Sequence, residues 1–240
     1  MHPVRAALLW ALIAILTVWF TTLIALAWLL LLPFDRQRKA PHWLSSLWGR
    51  AVFLCHPLWR IRVEGANRLD PRQHYIFVAN HQSLLDIVAL YHLNRQFKWV
   101  AKEELFGIPF LGWSMSLAGY VRLARGQNRS IRQAYDQAGQ WVRSGMSVLF
   151  FPEGTRSADG EVGAFKGGAF KLATRAQVPV VPIAVSGTRE LLIKGSWRFS
   201  AGRREVRVTV FPPLAPTEPA DTLRDHAREA ILSAVSQANA

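Results

Sequence analysis

Two apolar runs decide the fold: His74-Tyr-Ile-Phe-Val-Ala-Asn80 and, further along, Ser147-Val-Leu-Phe-Phe151. Their nearly continuous apolar, β-branched and aromatic character fits central strands buried on both faces. Five more runs rich in β-branched or aromatic residues, at 60–65, 97–101, 119–124, 178–186 and 204–211, are bounded by turn signals. Helical stretches separate many of them, notably 83–94, 130–144 and, after a loop at 152–163, 164–176. This alternation predicts an α/β fold, with a mostly parallel or mixed central sheet of about seven strands flanked by helices. The last stretch, 222–235, reads as an ordinary amphipathic helix. In such sheets sites gather at the carboxyl ends of the strands. The turns after Ala79 and Phe151 are therefore the places to look.

Ahead of the first strand the chain changes character. Residues 6–32 hold no charged side chain and are rich in Leu, Ala, Ile and Trp. A helix needs ~20 such residues to cross a ~30 Å hydrocarbon core. The run ends in Leu-Leu-Leu-Leu-Pro33-Phe-Asp-Arg-Gln-Arg-Lys39, without the small residues of a signal-peptide cleavage site. Residues 1–35 are thus expected to form a transmembrane helix; a hairpin or an interfacial helix held in one leaflet is the alternative. Arg36, Arg38 and Lys39 follow the run and only Arg5 precedes it, which puts the body on the cytoplasmic face of the inner membrane. Within 36–59, Leu44, Leu47, Trp48, Ala51, Val52 and Cys55 fall on one helical face. Trp43, Trp48 and Trp59 flank it, and tryptophan suits the headgroup layer. That segment is read as an amphipathic interfacial helix, or equally as a helix packed on the body. Residues 60–240 make up the globular domain.

The chain carries 29 Lys and Arg against 16 Asp and Glu, a formal charge of +13 lying almost wholly beyond residue 35. Its partner should be negative: nucleic acid, an anionic membrane lipid or a phosphorylated substrate. A single cysteine, Cys55, excludes an intramolecular disulfide framework and a multi-cysteine zinc site. Half the residues are hydrophobic and 19% are charged, which excludes a disordered polyelectrolyte.

The first turn reads Asn80-His-Gln-Ser-Leu-Leu-Asp86. Positions five apart do not meet on a regular helix. If His81 precedes the helix and Asp86 sits in its first turn, the carboxylate can reach back to the imidazole. Such a pair makes a general base, the aspartate fixing the tautomer while the other nitrogen takes a proton. The competing reading is a capping box across Ser83-Leu-Leu-Asp86, which gives Asp86 a structural task. The second turn reads Phe151-Pro-Glu-Gly-Thr-Arg-Ser157. Pro152 and Gly154 force a tight turn, around which Thr155, Arg156 and free backbone N–H groups can surround an anion. Lys166 stands beside the glycine pair of Phe165-Lys-Gly-Gly168, while Arg122, Arg125 and Arg129 lie on or after another strand. Taken one at a time, these cations read as solvated surface charges; together they suggest a phosphate pocket beside the His–Asp pair.

The order N-H-x4-D, G-x5-R, F-P-E-G-T-R-S and V-P-I resembles the glycerolipid acyltransferase superfamily, and most of all its 1-acylglycerol-3-phosphate acyltransferases. The likeness covers about residues 60–212. It implies that His81 and Asp86 are the catalytic pair, and that Gly119, Arg125, Glu153, Gly154, Thr155 and Arg156 belong to blocks that bind glycerol and phosphate. Asn80, Lys166 and Pro182 are further candidates, Pro182 within Val181-Pro-Ile183 near the acyl-binding region. Arg122 departs from the pattern, which has an aromatic or aliphatic residue there. The expected reaction moves a fatty acyl group from acyl-CoA or acyl-carrier protein to the sn-2 hydroxyl of lysophosphatidic acid. No metal, bound cofactor, acyl-enzyme or nucleic-acid partner is expected. Two alternatives remain: an acyltransferase for another lysolipid, such as lyso-ornithine lipid, and a non-catalytic, membrane-tethered module that binds anionic lipid.

Overall fold

The computed structural model describes residues 2–239 except Ala158, Ile193, Lys194 and Ser196. Each apolar run of the sequence becomes a strand: β1 (Trp59–Glu64), β2 (Ile76–Ala79), β3 (Phe97–Lys102), β4 (Val121–Leu123), β5 (Ser147–Phe150), β6 (Val180–Ser186) and β7 (Arg204–Val210). They form one sheet in the order β1-β7-β6-β2-β5-β3-β4. Neighbours are parallel except β6 and β7, whose pairing is antiparallel, so the sheet is mixed. The helices are α1 (Pro3–Leu31), α2 (Lys39–Leu54), α3 (Leu85–Leu90), α4 (Leu111–Leu117), α5 (Asn128–Arg143), α6 (Gly168–Ala176), α7 (Thr188–Leu191) and α8 (Ala220–Asn239).

Strand β2 shows why its sequence has no polar alternation. Phe77 and Ala79 enter the core beneath α2 and α3, whereas Ile76 and Val78 enter the one beneath α5, α6 and α8. Both faces are covered, so every position must be apolar. The second core is closed by α5 and α8, which pack on β5 and β6.

Helix α1 has 29 residues, ~44 Å at ~1.5 Å each, and is long and apolar enough to cross a membrane. Leu8, Ile15, Trp19, Leu29 and Leu30 are exposed on it. Its other side packs on α2 and α4. Three side-chain hydrogen bonds fasten it: Trp10 Nε1 to the Trp197 carbonyl (2.7 Å), Trp48 Nε1 to Thr17 Oγ1 (3.1 Å) and Thr21 Oγ1 to the Phe110 carbonyl (3.1 Å). An apolar N-terminal helix of this kind associates with membranes.

Three local expectations need correction. The helix expected over 83–94 starts at Leu85 and gives way to a 3-10 turn at Tyr91–Leu93, ending where Asn94 takes a left-handed φ of 55°. Of the helix expected over 164–176, only Gly168–Ala176 forms. The glycine pair propagates helix poorly, and the Lys166 N–H bonds the Pro152 carbonyl (2.9 Å), holding the preceding chain against another turn. The buried face of α2 is rotated from the apolar one and shares Val52 with it: it consists of Pro41, His42, Ser45, Ser46, Gly49, Val52 and Phe53, while Trp48 and Cys55 of the apolar face are partly buried against the core. Ser45 and Ser46 bond back to the carbonyls of Pro41 and His42, so their hydroxyls enter the interior already satisfied. The His42 ring lies within 3.0 Å of both Tyr120 OH and the Arg95 carbonyl. Burial and the nearby Lys98 push its pKa down to about 3, so it stays neutral.

Candidate active site

Strand β2 ends at Ala79, and the next two residues leave the sheet fixed in place. The buried Asn80 side-chain amide donates to the Val185 carbonyl (2.8 Å) and accepts from the Val185 N–H (2.7 Å), which locks the end of β2 to β6. His81 then precedes α3, with Asp86 in its first turn. Asp86 Oδ2 lies 2.7 Å from His81 Nδ1. The same oxygen accepts the N–H groups of Gln82 (2.7 Å) and Ser83 (2.8 Å), and Oδ1 accepts the Thr188 hydroxyl. Asp86 is thus the partner of His81 and also accepts the Ser83 N–H as in a capping box, but the reciprocal half is missing, the Asp86 N–H bonding the Ser83 carbonyl instead of its hydroxyl. The carboxylate is wholly buried, whereas 15% of the imidazole is exposed. Nε2 has no hydrogen-bond partner among the described residues.

The second turn is buttoned to the first. Ser157 N–H donates to the His81 carbonyl (2.8 Å), and Glu153 Oε1 accepts the His81 N–H (2.8 Å). Glu153 Oε2 accepts from Gly163 N–H (3.1 Å). Burial raises the Glu153 pKa, while these two N–H groups pull it down. Both carboxylate oxygens are thus engaged with backbone. The His81 ring stacks on Phe151, with centroids 4.2 Å apart. Gly154 takes φ +74°, and a Cβ there would come within 2.8 Å of Lys166 Nζ. That turn needs glycine for its left-handed backbone, whereas the lysine laid across it could move aside.

His81, Arg125, Gly154, Thr155, Arg156 and Lys166 line one cavity of about 1120 Å³. Arg125 is lowered in pKa chiefly by burial; Glu104 opposes this and the nearby Arg156 charge adds to it. Asn80, Asp86, Glu153 and Pro182 do not line the cavity. Pro182 lies inside the sheet, opposite Val78. Arg122 also points elsewhere, its guanidinium 4.6 Å over the Phe106 ring. From the cationic end the cavity runs along α3 past Leu84, Val88 and Tyr91, with α1 forming its far wall through Ile13, Thr17 and Ile24. Part of the lining, Ile131, Ala134, Tyr135, Phe150 and Ala169, belongs to the side of the sheet covered by α5 and α6, and forms a second lobe of the cavity. Among the described residues, no group of three or more His, Cys, Asp or Glu side chains converges as metal ligands would.

Sequence reasoning missed Thr188 and the α1 wall. Thr188 follows Gly187, whose φ is +84° and where a Cβ would lie 2.3 Å from the Glu205 carbonyl oxygen. Ser186-Gly-Thr188 at a strand end was the available signal, but nothing in it names Asp86 as the partner.

A mixed sheet with a carboxylate-held histidine over a partly apolar, partly cationic cavity defines the class of protein. The Acyltransferase family model matches residues 60–186, and the chain belongs to that family. It is 40% identical over 218 residues to a 1-acyl-sn-glycerol-3-phosphate acyltransferase of Chlamydomonas reinhardtii, covering 90% of this chain and 64% of that protein. A chloroplastic enzyme of the same name from Brassica napus is 38% identical over 205 residues, covering 85% and 58% respectively. The human alpha form is 36% identical over 181 residues, covering 72% and 63%. The chain thus spans less than two thirds of the length of these relatives. Among solved structures, the 1-acyl-sn-glycerophosphate (LPA) acyltransferase PlsC of Thermotoga maritima superposes with a TM-score of 0.83 at 27% identity, covering 99% of this chain and 95% of that one.

Proposed function

We propose that the protein transfers a fatty acyl group from an acyl thioester to the sn-2 hydroxyl of lysophosphatidic acid, giving phosphatidic acid. The observation that carries this reading is His81, held through Nδ1 by Asp86 while its ring lines a cavity shared with Arg125, Thr155 and Arg156. The names of the relatives and of the Thermotoga structure support the same choice.

His81 Nε2 takes the proton of the acceptor hydroxyl as its oxygen attacks the thioester carbonyl. Asp86, buried and fully hydrogen-bonded, stabilises the imidazolium and fixes the ring. Collapse of the tetrahedral intermediate breaks the C–S bond, and the imidazolium returns the proton to the leaving thiolate. Arg125, Thr155 and Arg156 hold the acceptor phosphate, which places the free hydroxyl at the imidazole. Glu153 and Asn80 act one step back, fixing the backbone that carries His81. The donor is acyl-CoA or acyl-carrier protein. Helix α1 spans the membrane, the body lies on its cytoplasmic face, and anionic lipid attracts the basic surface.

The test uses full-length protein in lipid nanodiscs with several lysolipid acceptors and both donor types, followed by product identification. Phosphatidic acid should form from lysophosphatidic acid, and a His81→Ala variant should form none above background. A preference for an acceptor without phosphate would overturn the assignment.

A further inference from the structure

We propose that the second lobe of the cavity receives the pantetheine arm of the acyl donor, the chemistry that CoA and carrier protein share. This deepens the acyl-transfer reading and rests on it. On α5, Ile131, Ala134 and Tyr135 fall at i, i+3 and i+4 and line the lobe together. Phe150 and Ala169 line it as well, and Lys166 stands at its rim. These residues lie on the face of the sheet covered by α5 and α6, whereas α1 packs on α2 and α4. The cavity thus draws its lining from both sides of the sheet, with His81 among the lining residues.

That shape matches a donor with two unlike ends. On one side of the thioester is a hydrocarbon chain, which suits the apolar lobe walled by α1. On the other is a slender arm with two amides and a branched apolar segment, tied to a carrier too large and polar to enter lipid. The arm must therefore come from the side away from α1. The lobe offers apolar walls with two donors set into them. The Tyr135 ring stacks on Phe150, centroids 5.6 Å apart, and a Cβ on Gly168 would lie 2.1 Å from the Tyr135 hydroxyl. Glycine at 168 is what lets that hydroxyl lie against the start of α6. Lys166 Nζ lies across Gly154, and neither Lys166 Nζ nor Tyr135 OH has a hydrogen-bond partner among the described residues. Both can donate to the amide carbonyls of the arm. Arg125, which lines the cavity, adds positive charge for an anionic carrier.

The experiment compares four donors of one acyl chain: acyl-CoA, acyl-carrier protein, acyl-pantetheine and an S-ethyl thioester with no arm. Tyr135→Phe, which keeps the ring stack, is measured against the wild type. It should lower kcat/KM by ~5–10-fold for the three armed donors and leave the S-ethyl thioester unchanged. An equal loss for all four donors would mean that Tyr135 serves the acceptor or the loop, and would overturn the proposal. A loss confined to acyl-CoA or to the carrier protein would overturn it too, by pointing to nucleotide or protein contacts. Binding of pantetheine alone, followed by calorimetry, separates this proposal from the acyl-transfer reading. If no donor is used yet pantetheine binds and Tyr135→Phe weakens it, the reaction is wrong and the lobe stands. If pantetheine does not bind, the lobe assignment falls.

Discussion

Thr188 donates its hydroxyl to Oδ1 of Asp86, a residue 102 positions earlier in the chain, and thereby completes the hydrogen bonding of a wholly buried carboxylate. The other oxygen serves His81 Nδ1 and two backbone N–H groups. A Thr188→Val substitution keeps the shape and removes one donor from a buried charge, at ~1–3 kcal/mol. Its thermal midpoint should fall. Its kcat should fall with little change in KM for either substrate, because the loss acts through the imidazole. A rise in KM alone would mean that Thr188 touches substrate instead.

On the proposed mechanism, His81→Ala removes the base and leaves the sheet intact. General-base contributions run to ~10²–10⁴-fold, and a loss of that size is expected in kcat. Circular dichroism and membrane association should match the wild type. Near-normal turnover in such a folded variant would remove His81 from the chemistry.

Arg156→Lys keeps the charge and discards the planar two-donor fork. Loss of a charge-assisted contact amounts to ~1.5–3 kcal/mol, roughly ten- to a hundredfold in kcat/KM with lysophosphatidic acid. An acceptor lacking phosphate should be affected far less, so the ratio of the two kcat/KM values is the measurement. Equal losses would assign Arg156 to supporting the turn.

Lys98 offers a test by pH. Its ammonium is buried beneath Trp141, 5.1 Å from the ring centroid, and donates to the Arg38 carbonyl at 3.0 Å. Burial above all lowers its pKa from 10.5 to about 7; Arg38 and Lys39 add to the shift and Asp35 opposes it. Between those two values the unfolded chain binds more protons than the folded one, so stability rises with pH across that window. Below about pH 7 the folded protein carries the full cost of the buried charge. Lys98→Met should raise the thermal midpoint at pH 7, and its advantage over the wild type should shrink as pH approaches 10. An advantage independent of pH would mean that packing, not charge, separates the two.

Much of this architecture was legible because the buried strands had no freedom to be otherwise. Phe77 and Val78 face opposite cores, so β2 announces itself as an unbroken apolar run. The two turns were legible because Pro152, Gly154 and the His81–Asp86 spacing each constrain the local backbone. What escaped is of another kind. The inward side of α2 includes His42, Ser45 and Ser46, whose polar groups are satisfied within the helix or by residues distant in sequence, so hydropathy selects a neighbouring stripe that shares Val52 with it. Thr188 and Tyr135 matter through single contacts made across the fold, and no spacing rule encodes those. Glu153 was legible as part of a site, yet its hydrogen bonds to backbone become visible only once both turns are placed together.

Helix α1 supplies part of the wall of the cavity that holds His81. It is therefore not an interchangeable tether. Exchanging it for an unrelated hydrophobic segment would preserve the protein's address while opening the chamber on one side. A chain clipped after synthesis would likewise lose that enclosure, so one helix serves both membrane association and the shape of the cavity.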